Sequence, residues 1–126
     1  EDTEGNHRNA PLRPSEIDKI YAIHAFITDN LTENLQVNRL SRLSGLSSAK
    51  LQSGFKYLYN DNVASYITRK RVELAADLLE SADMNISEVV YAIGFSSRSY
   101  FSKIFKRHFG MRPSDYIKKE LNTSLA

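Results

Sequence analysis

The segment VNRLSRLSGLSS at residues 37–48 returns as ISEVVYAIGFSS at residues 86–97. Val37 pairs with Ile86, Leu40 with Val89, Gly45 with Gly94 and Leu46 with Phe95. After one inserted residue the match continues, Leu51 with Phe101, Phe55-Lys56 with Phe105-Lys106, Val63 with Pro113 and Tyr66-Ile67 with Tyr116-Ile117. A period of about 50 residues in a chain of 126 confines the fold to two copies of one supersecondary unit. Each copy is a short periodic run, a turn containing glycine and a second run, which is helix-turn-helix spacing.

The rest of the chain follows from its punctuation. Residues 1–14, EDTEGNHRNAPLRP, are polar, hold two prolines and show no periodicity, so they read as a disordered tail or interdomain linker. Ser15 is placed to cap a helix over about 16–30, along which Ile20, Ile23, Ile27 and Leu31 recur at helical steps. No sustained alternation of period two follows, so the expected fold is all-α, with about seven helices over 15–121 and a short C-terminal tail at 122–126. The first unit spans 36–60, a linker helix capped by Asn62 spans 62–81, and the second unit spans 85–110. Asn85 and Glu88 form a capping box, and Pro113 opens the last helix, which is expected to end near Glu120.

Charge is distributed unevenly over these elements. Residues 1–35 carry three bases against seven acids, whereas residues 97–126 carry seven bases against two. Gathered positive charge is the footprint of a phosphate-binding surface, and equally of a solvated basic helix. On a helical wheel of 97–110, Phe101, Ile104, Phe105 and His108 share one face while Ser99, Ser102, Lys103 and Lys106 lie opposite. The same projection of the first repeat places Leu51, Phe55 and Leu58 inside, and Ala49, Gln52, Ser53 and Lys56 outside. Small residues, an amide and cations without an acid make a face able to enter a major groove and bond base edges. The serines that open both helices, Ser48 and Ser97, leave N–H groups where a phosphate can sit. The linker helix, about 30 Å long at 1.5 Å per residue, is close to the roughly 34 Å between successive major-groove faces of a duplex.

The run from Ile86 to Ile117, ISEVVYAIGFSSRSYFSKIFKRHFGMRPSDYI, resembles the signature of the AraC/XylS family of bacterial transcription regulators. The marks are Ile86, Gly94-Phe95, Tyr100-Phe101-Ser102, Phe105-Lys106, Gly110, Pro113 and Tyr116, to which the long helix adds Tyr66, Arg71, Ala75 and Leu79. The resemblance covers about residues 16–120. It implies a two-lobed helical domain that binds double-stranded promoter or operator DNA, works with RNA polymerase, and is commonly joined to an upstream sensory or dimerisation domain. It also implies base-facing roles for Ala49, Gln52 and Ser53 in the first unit and for Arg98, Ser99, Tyr100 and Lys103 in the second. Phosphate contacts are expected from Ser48, Lys50, Lys56, Lys70, Ser97, Lys106 and Arg107. Three positions depart from the family's commoner pattern: Gly54 replaces a larger apolar residue, Ser41 an alanine, and Asn60 a glycine at a helix end. Gly54, costing about 1 kcal/mol of helix propensity relative to Ala, marks the first unit as the softer one.

Other function classes find little in the chain. It has no cysteine, no glycine-rich phosphate loop and no Ser/His/Asp order. No catalytic residue, metal ligand or cofactor is therefore expected: His24 and His108 read as packed or partly exposed side chains, and His7 falls in the tail. No apolar run reaches the roughly 18 residues of a membrane span, and the expected setting is the cytoplasm. The remaining rival is a helical-repeat module that binds protein instead of DNA; two repeats are few for a solenoid, and the outer faces lack apolar anchors.

Overall fold

The computed structural model describes residues 12–81 and 83–125, and those residues contain seven helices and no strand. These are α1 (Pro14–Asp29), α2 (Val37–Ser44), α3 (Ser48–Tyr59), α4 (Val63–Ser81), α5 (Ile86–Ile93), α6 (Arg98–Phe109) and α7 (Pro113–Leu125). The chain divides into two compact units at residues 68 and 69, within α4.

In the first unit, the α1 stripe of Ile20, Ile23 and Ile27 is buried with Leu40 of α2, Leu51 and Phe55 of α3, and Val63, Tyr66 and Ile67 from the start of α4. Local chemistry sets the helix ends. The Ser47 hydroxyl accepts the Lys50 backbone N–H at 3.1 Å to cap α3, and the Asn62 side chain accepts that of Ser65 at 2.8 Å at the start of α4. Gly45 ends α2 at φ 78°, in the left-handed region that glycine enters without steric cost. Asn60 ends α3 in the same region at φ 56°, which an asparagine can adopt in place of the family's glycine. Ser41 also earns its place: its hydroxyl donates to the Leu46 carbonyl across the α2–α3 turn. The Ser44 hydroxyl meanwhile donates to the Ser41 carbonyl and accepts the Leu46 N–H, both at 3.1 Å.

The second unit repeats this plan. Val72, Ala75, Ala76 and Leu79 of α4 are buried with Val89, Val90 and Ile93 of α5 and Phe101, Ile104 and Phe105 of α6. Asn85 and Glu88 form the expected capping box, each side chain accepting the other's backbone N–H at 2.8 Å. Ser97 caps α6 by accepting the Tyr100 N–H at 3.0 Å.

Four expectations need correction. Helix α1 starts at Pro14, not after a Ser15 cap; proline is preformed for the first helical position, and the Glu16 carboxylate accepts the preceding Arg13 N–H at 2.9 Å. Leu12, assigned to the 1–14 tail, is buried in the first core, so that core takes in at least this residue of the expected tail; residues 1–11 lie outside the described residues. At the other end α7 does not stop near Glu120 but continues to Leu125, through most of the expected 122–126 tail. His108, assigned to the core face of α6, is exposed with Nε2 3.8 Å from a Glu73 carboxylate oxygen. A wheel reports direction but not depth; this near the helix end the polar ring meets a carboxylate at the rim, and Phe105, Phe109 and Tyr116 close the core instead.

Candidate nucleic-acid interface

Helix α6 separates its two habits in space. Phe101 and Phe105 are fully buried and Ile104 nearly so, whereas Arg98, Ser99, Tyr100, Lys103, Lys106 and Arg107 are exposed. Tyr100 sits on the exposed side with its ring 6.4 Å from that of Phe95. Arg98 is the first residue of the helix, and its Nη1 donates to the Ser87 hydroxyl of α5 at 2.9 Å. No acid lies within α6 itself, so its outward residues carry positive charge without internal neutralisation.

Helix α3 is quieter. Ser48, Ala49 and Lys56 are exposed, but Gln52 and Ser53 are half-buried, less prominent than the wheel alone suggests. Gly54 is buried, and a Cβ there would stand 3.1 Å from Ile20 Cδ1 and 3.2 Å from Leu12 Cδ1. The glycine is thus where α1 and its leading residue close on α3. A larger residue would crowd both side chains, so the helix-propensity cost of glycine comes with a close approach that its small size permits.

The two helices align by their caps: Ser47 and Ser97 precede them, Ser48 and Arg98 open them, and Ala49, Ser53 and Lys56 match Ser99, Lys103 and Lys106. The one-residue insertion therefore lies in the turn, and Ser102 is the counterpart of Gln52. Sequence reasoning left Ser102 out of the candidate set although the cap spacing contained it.

Acids reach two of the expected phosphate ligands from outside the recognition helices. Lys50 Nζ lies 3.5 Å from Glu16 of α1, whose carboxyl is held below its usual range, chiefly by the Arg13 N–H and also by Lys50. Lys70 Nζ lies 3.3 Å from Glu73, a carboxylate that Arg69 and His108 also face at 3.8 Å. The Glu73 contact was legible as an i,i+3 and i,i+4 pattern on α4; the Glu16 contact needed the tertiary fold. Arg71 is half-buried, and burial pulls its guanidinium below the usual arginine range while leaving it charged. Tyr66 and Tyr116 behave as packing residues. Tyr66 shares a 2.6 Å hydrogen bond with His24, whose ring also stacks on Tyr59, and the Tyr116 hydroxyl donates to Glu80. Among the described residues no cluster of His, Asp or Glu is placed to hold a metal, and no helix is long and apolar enough to cross a membrane.

Two tandem three-helix arrangements, each with a capped second helix turned outward, define a double helix-turn-helix protein. The helix-turn-helix domain family matches residues 40–119. The chain is 30% identical over 92 residues to the regulatory protein SoxS of Escherichia coli K12, covering 73% of this chain and 86% of that protein. It is 29% identical over 109 residues to the MmsAB operon regulatory protein of Pseudomonas aeruginosa, covering 86% of this chain but only 35% of the relative. In structure it is similar to the DNA-binding domain of AdpA, solved in complex with a target DNA, with a TM-score of 0.77, 25% identity, and coverage of 80% of this chain and 91% of that one. The chain belongs to the AraC/XylS family, and it is a DNA-binding domain of a transcription regulator rather than an enzyme. The matches give the protein-interaction reading no support.

Proposed function

We propose that α3 and α6 are the recognition helices of this domain, each entering a major groove of one duplex site. Ala49, Gln52 and Ser53 face bases from the first, and Arg98, Ser99, Tyr100 and Lys103 from the second. Ser48, Lys56, Ser97, Lys106 and Arg107 neutralise or bond phosphates beside them. Lys50 and Lys70 join that set by exchanging their carboxylate partners for phosphate, and so contribute less than the cations of α6. The observation that carries the reading is the face of α6: exposed bases and hydroxyls on one side, fully buried phenylalanines on the other, and no acid among them. A groove-reading helix needs that division, because its apolar side must hold it to the protein while its free side bonds base edges.

The wider setting follows the family. The domain serves as the output end of a bacterial regulator in the cytoplasm, acts on RNA polymerase at promoters, and is attached to a sensory or dimerisation region. The length of the MmsAB regulator outside the matched segment supports that attachment.

The test starts from a best site selected from random DNA. Arg98→Ala and Lys103→Ala should each cost about 1–3 kcal/mol on that site and much less on unrelated DNA. Lys106→Ala should weaken both nearly equally and flatten the salt dependence of binding. Equal losses on both DNAs for Arg98→Ala and Lys103→Ala would move those residues to the phosphate set and leave α6 without a reading role.

A further inference from the structure

The Arg98 side chain belongs to α6, but its position is set from α5. Its Nη1 donates to Ser87 Oγ at 2.9 Å, across the turn of the second helix-turn-helix. Arginine carries substantial rotamer freedom, and an exposed one at a helix start has nothing else on its own helix to hold it. The partner is a neutral hydroxyl. The acid next to it, Glu88, is engaged by the Asn85 N–H in the capping box. The hydrogen bond that orients Arg98 thus ends on a neutral group, whereas Lys50 and Lys70 each face a carboxylate. The tether uses one of the five guanidinium N–H donors, and a bidentate contact to a guanine edge needs two of those that remain. The first unit has no such device: its matching positions are Asn38 on α2 and Ser48 at the start of α3.

We propose that Ser87 is a positioning residue for base recognition, holding the Arg98 guanidinium in place for the groove before DNA arrives. The proposal builds on the base-reading role of Arg98 argued above, and it adds a residue that itself touches no base. Pre-organisation acts on the selective contact alone, since non-specific phosphate binding tolerates many arginine rotamers.

Ser87 is exposed in the first turn of α5, where alanine is a good helix former, so Ser87→Ala is expected to fold normally. Binding of the 126-residue chain should be measured on the selected site and on the same site altered at the base pair whose preference Arg98→Ala relaxes. Ser87→Ala should lower discrimination between them about threefold to tenfold, the range of one modest hydrogen bond, with melting temperature and binding to unrelated DNA unchanged. Ser87→Thr, which keeps the hydroxyl, should restore discrimination. In an Arg98→Ala background, Ser87→Ala should change nothing further. Tighter specific binding by Ser87→Ala would show that the contact holds Arg98 away from DNA, and the proposal would be wrong. Unchanged discrimination, while Arg98→Ala still relaxes it, would end the positioning role and leave the base-reading role standing. If Arg98→Ala itself leaves every base preference intact, the base-reading assignment fails first and this inference with it.

Discussion

The two units solve the same packing problem with opposite distributions of volume. In the first, the helix ahead of the helix-turn-helix is bulky, with Ile20, Ile23 and Ile27, and the recognition helix yields with Gly54. In the second, the equivalent stripe on α4 is Val72, Ala75 and Leu79, and the position matching Gly54 is Ile104. Isoleucine against glycine in one unit becomes alanine and valine beside isoleucine in the other. A core is filled by total volume at the contact, not by the identity of either partner. A residue that looks like a defect on one helix can therefore be the complement of its neighbour.

That comparison can be broken most forcefully by making each unit imitate the other. Ile104→Gly removes a nearly buried side chain from a core whose other wall is already small; with the added glycine cost it should destabilise by roughly 4–5 kcal/mol in denaturant titrations. Gly54→Ile overfills the first unit and should cost about 1–3 kcal/mol. Ile20→Ala, harmful alone, should recover much of that loss when combined with Gly54→Ile. Additive losses in this double-mutant cycle would mean that the two positions do not share one space.

A second test asks whether the units differ as readers of DNA. Helix α4 runs continuously across their boundary. Proline at exposed Asp77 would remove a helical hydrogen bond and clash with the preceding turn. In a variant shown by circular dichroism to be folded, specific affinity should fall about tenfold or more while salt-sensitive binding to unrelated DNA persists, because two tethered contacts become two weak ones. Unchanged affinity would assign the reading of DNA to one unit alone.

The smallest effect concerns the tyrosines that match across the repeat. Tyr116 has its phenol pushed up, first by burial and then by its hydrogen bond to Glu80. A folded-state value above the unfolded one means that the protonated hydroxyl stabilises fully below the usual phenol value near pH 10, and that this contribution is lost as pH rises through the folded value. Tyr116→Phe should remove the most alkaline step of the tyrosinate absorbance titration. A titration with that step intact would place the perturbed phenol elsewhere.

Most of the helix boundaries were legible because they are written locally: Gly45, Gly94, Asn85 with Glu88, and Pro113 act within one turn of where they stand. Leu12 was hidden by its polar, proline-bearing neighbours, since one apolar residue has no periodicity to announce it. The end of α7 was hidden for a related reason, as residues 121–125, LNTSL, carry no glycine or proline stop. At the candidate interface helical phase gave the exposed Ala49, Lys56, Ser99, Lys103 and Lys106 but overstated Gln52 and Ser53, which are half-buried, and phase is blind to what approaches from other elements. Glu16 beside Lys50, Ser87 beside Arg98, and Ile20 over Gly54 all join residues distant in sequence.

The turns that end α2, α3, α5 and α6 share one backbone device, a single left-handed residue at Gly45, Asn60, Gly94 and Gly110. With the serine caps and the two cores, these turns carry the fold's instructions. Outward positions such as Ala49, Ser99 and Lys103 carry almost none of them. Under the base-facing roles proposed above, the domain is a scaffold with erasable lettering: a lineage would rewrite the operator it recognises by drift at a handful of sites without passing through an unfolded intermediate. The same separation lets a laboratory library randomise those positions and spend its diversity on specificity instead of on misfolded members.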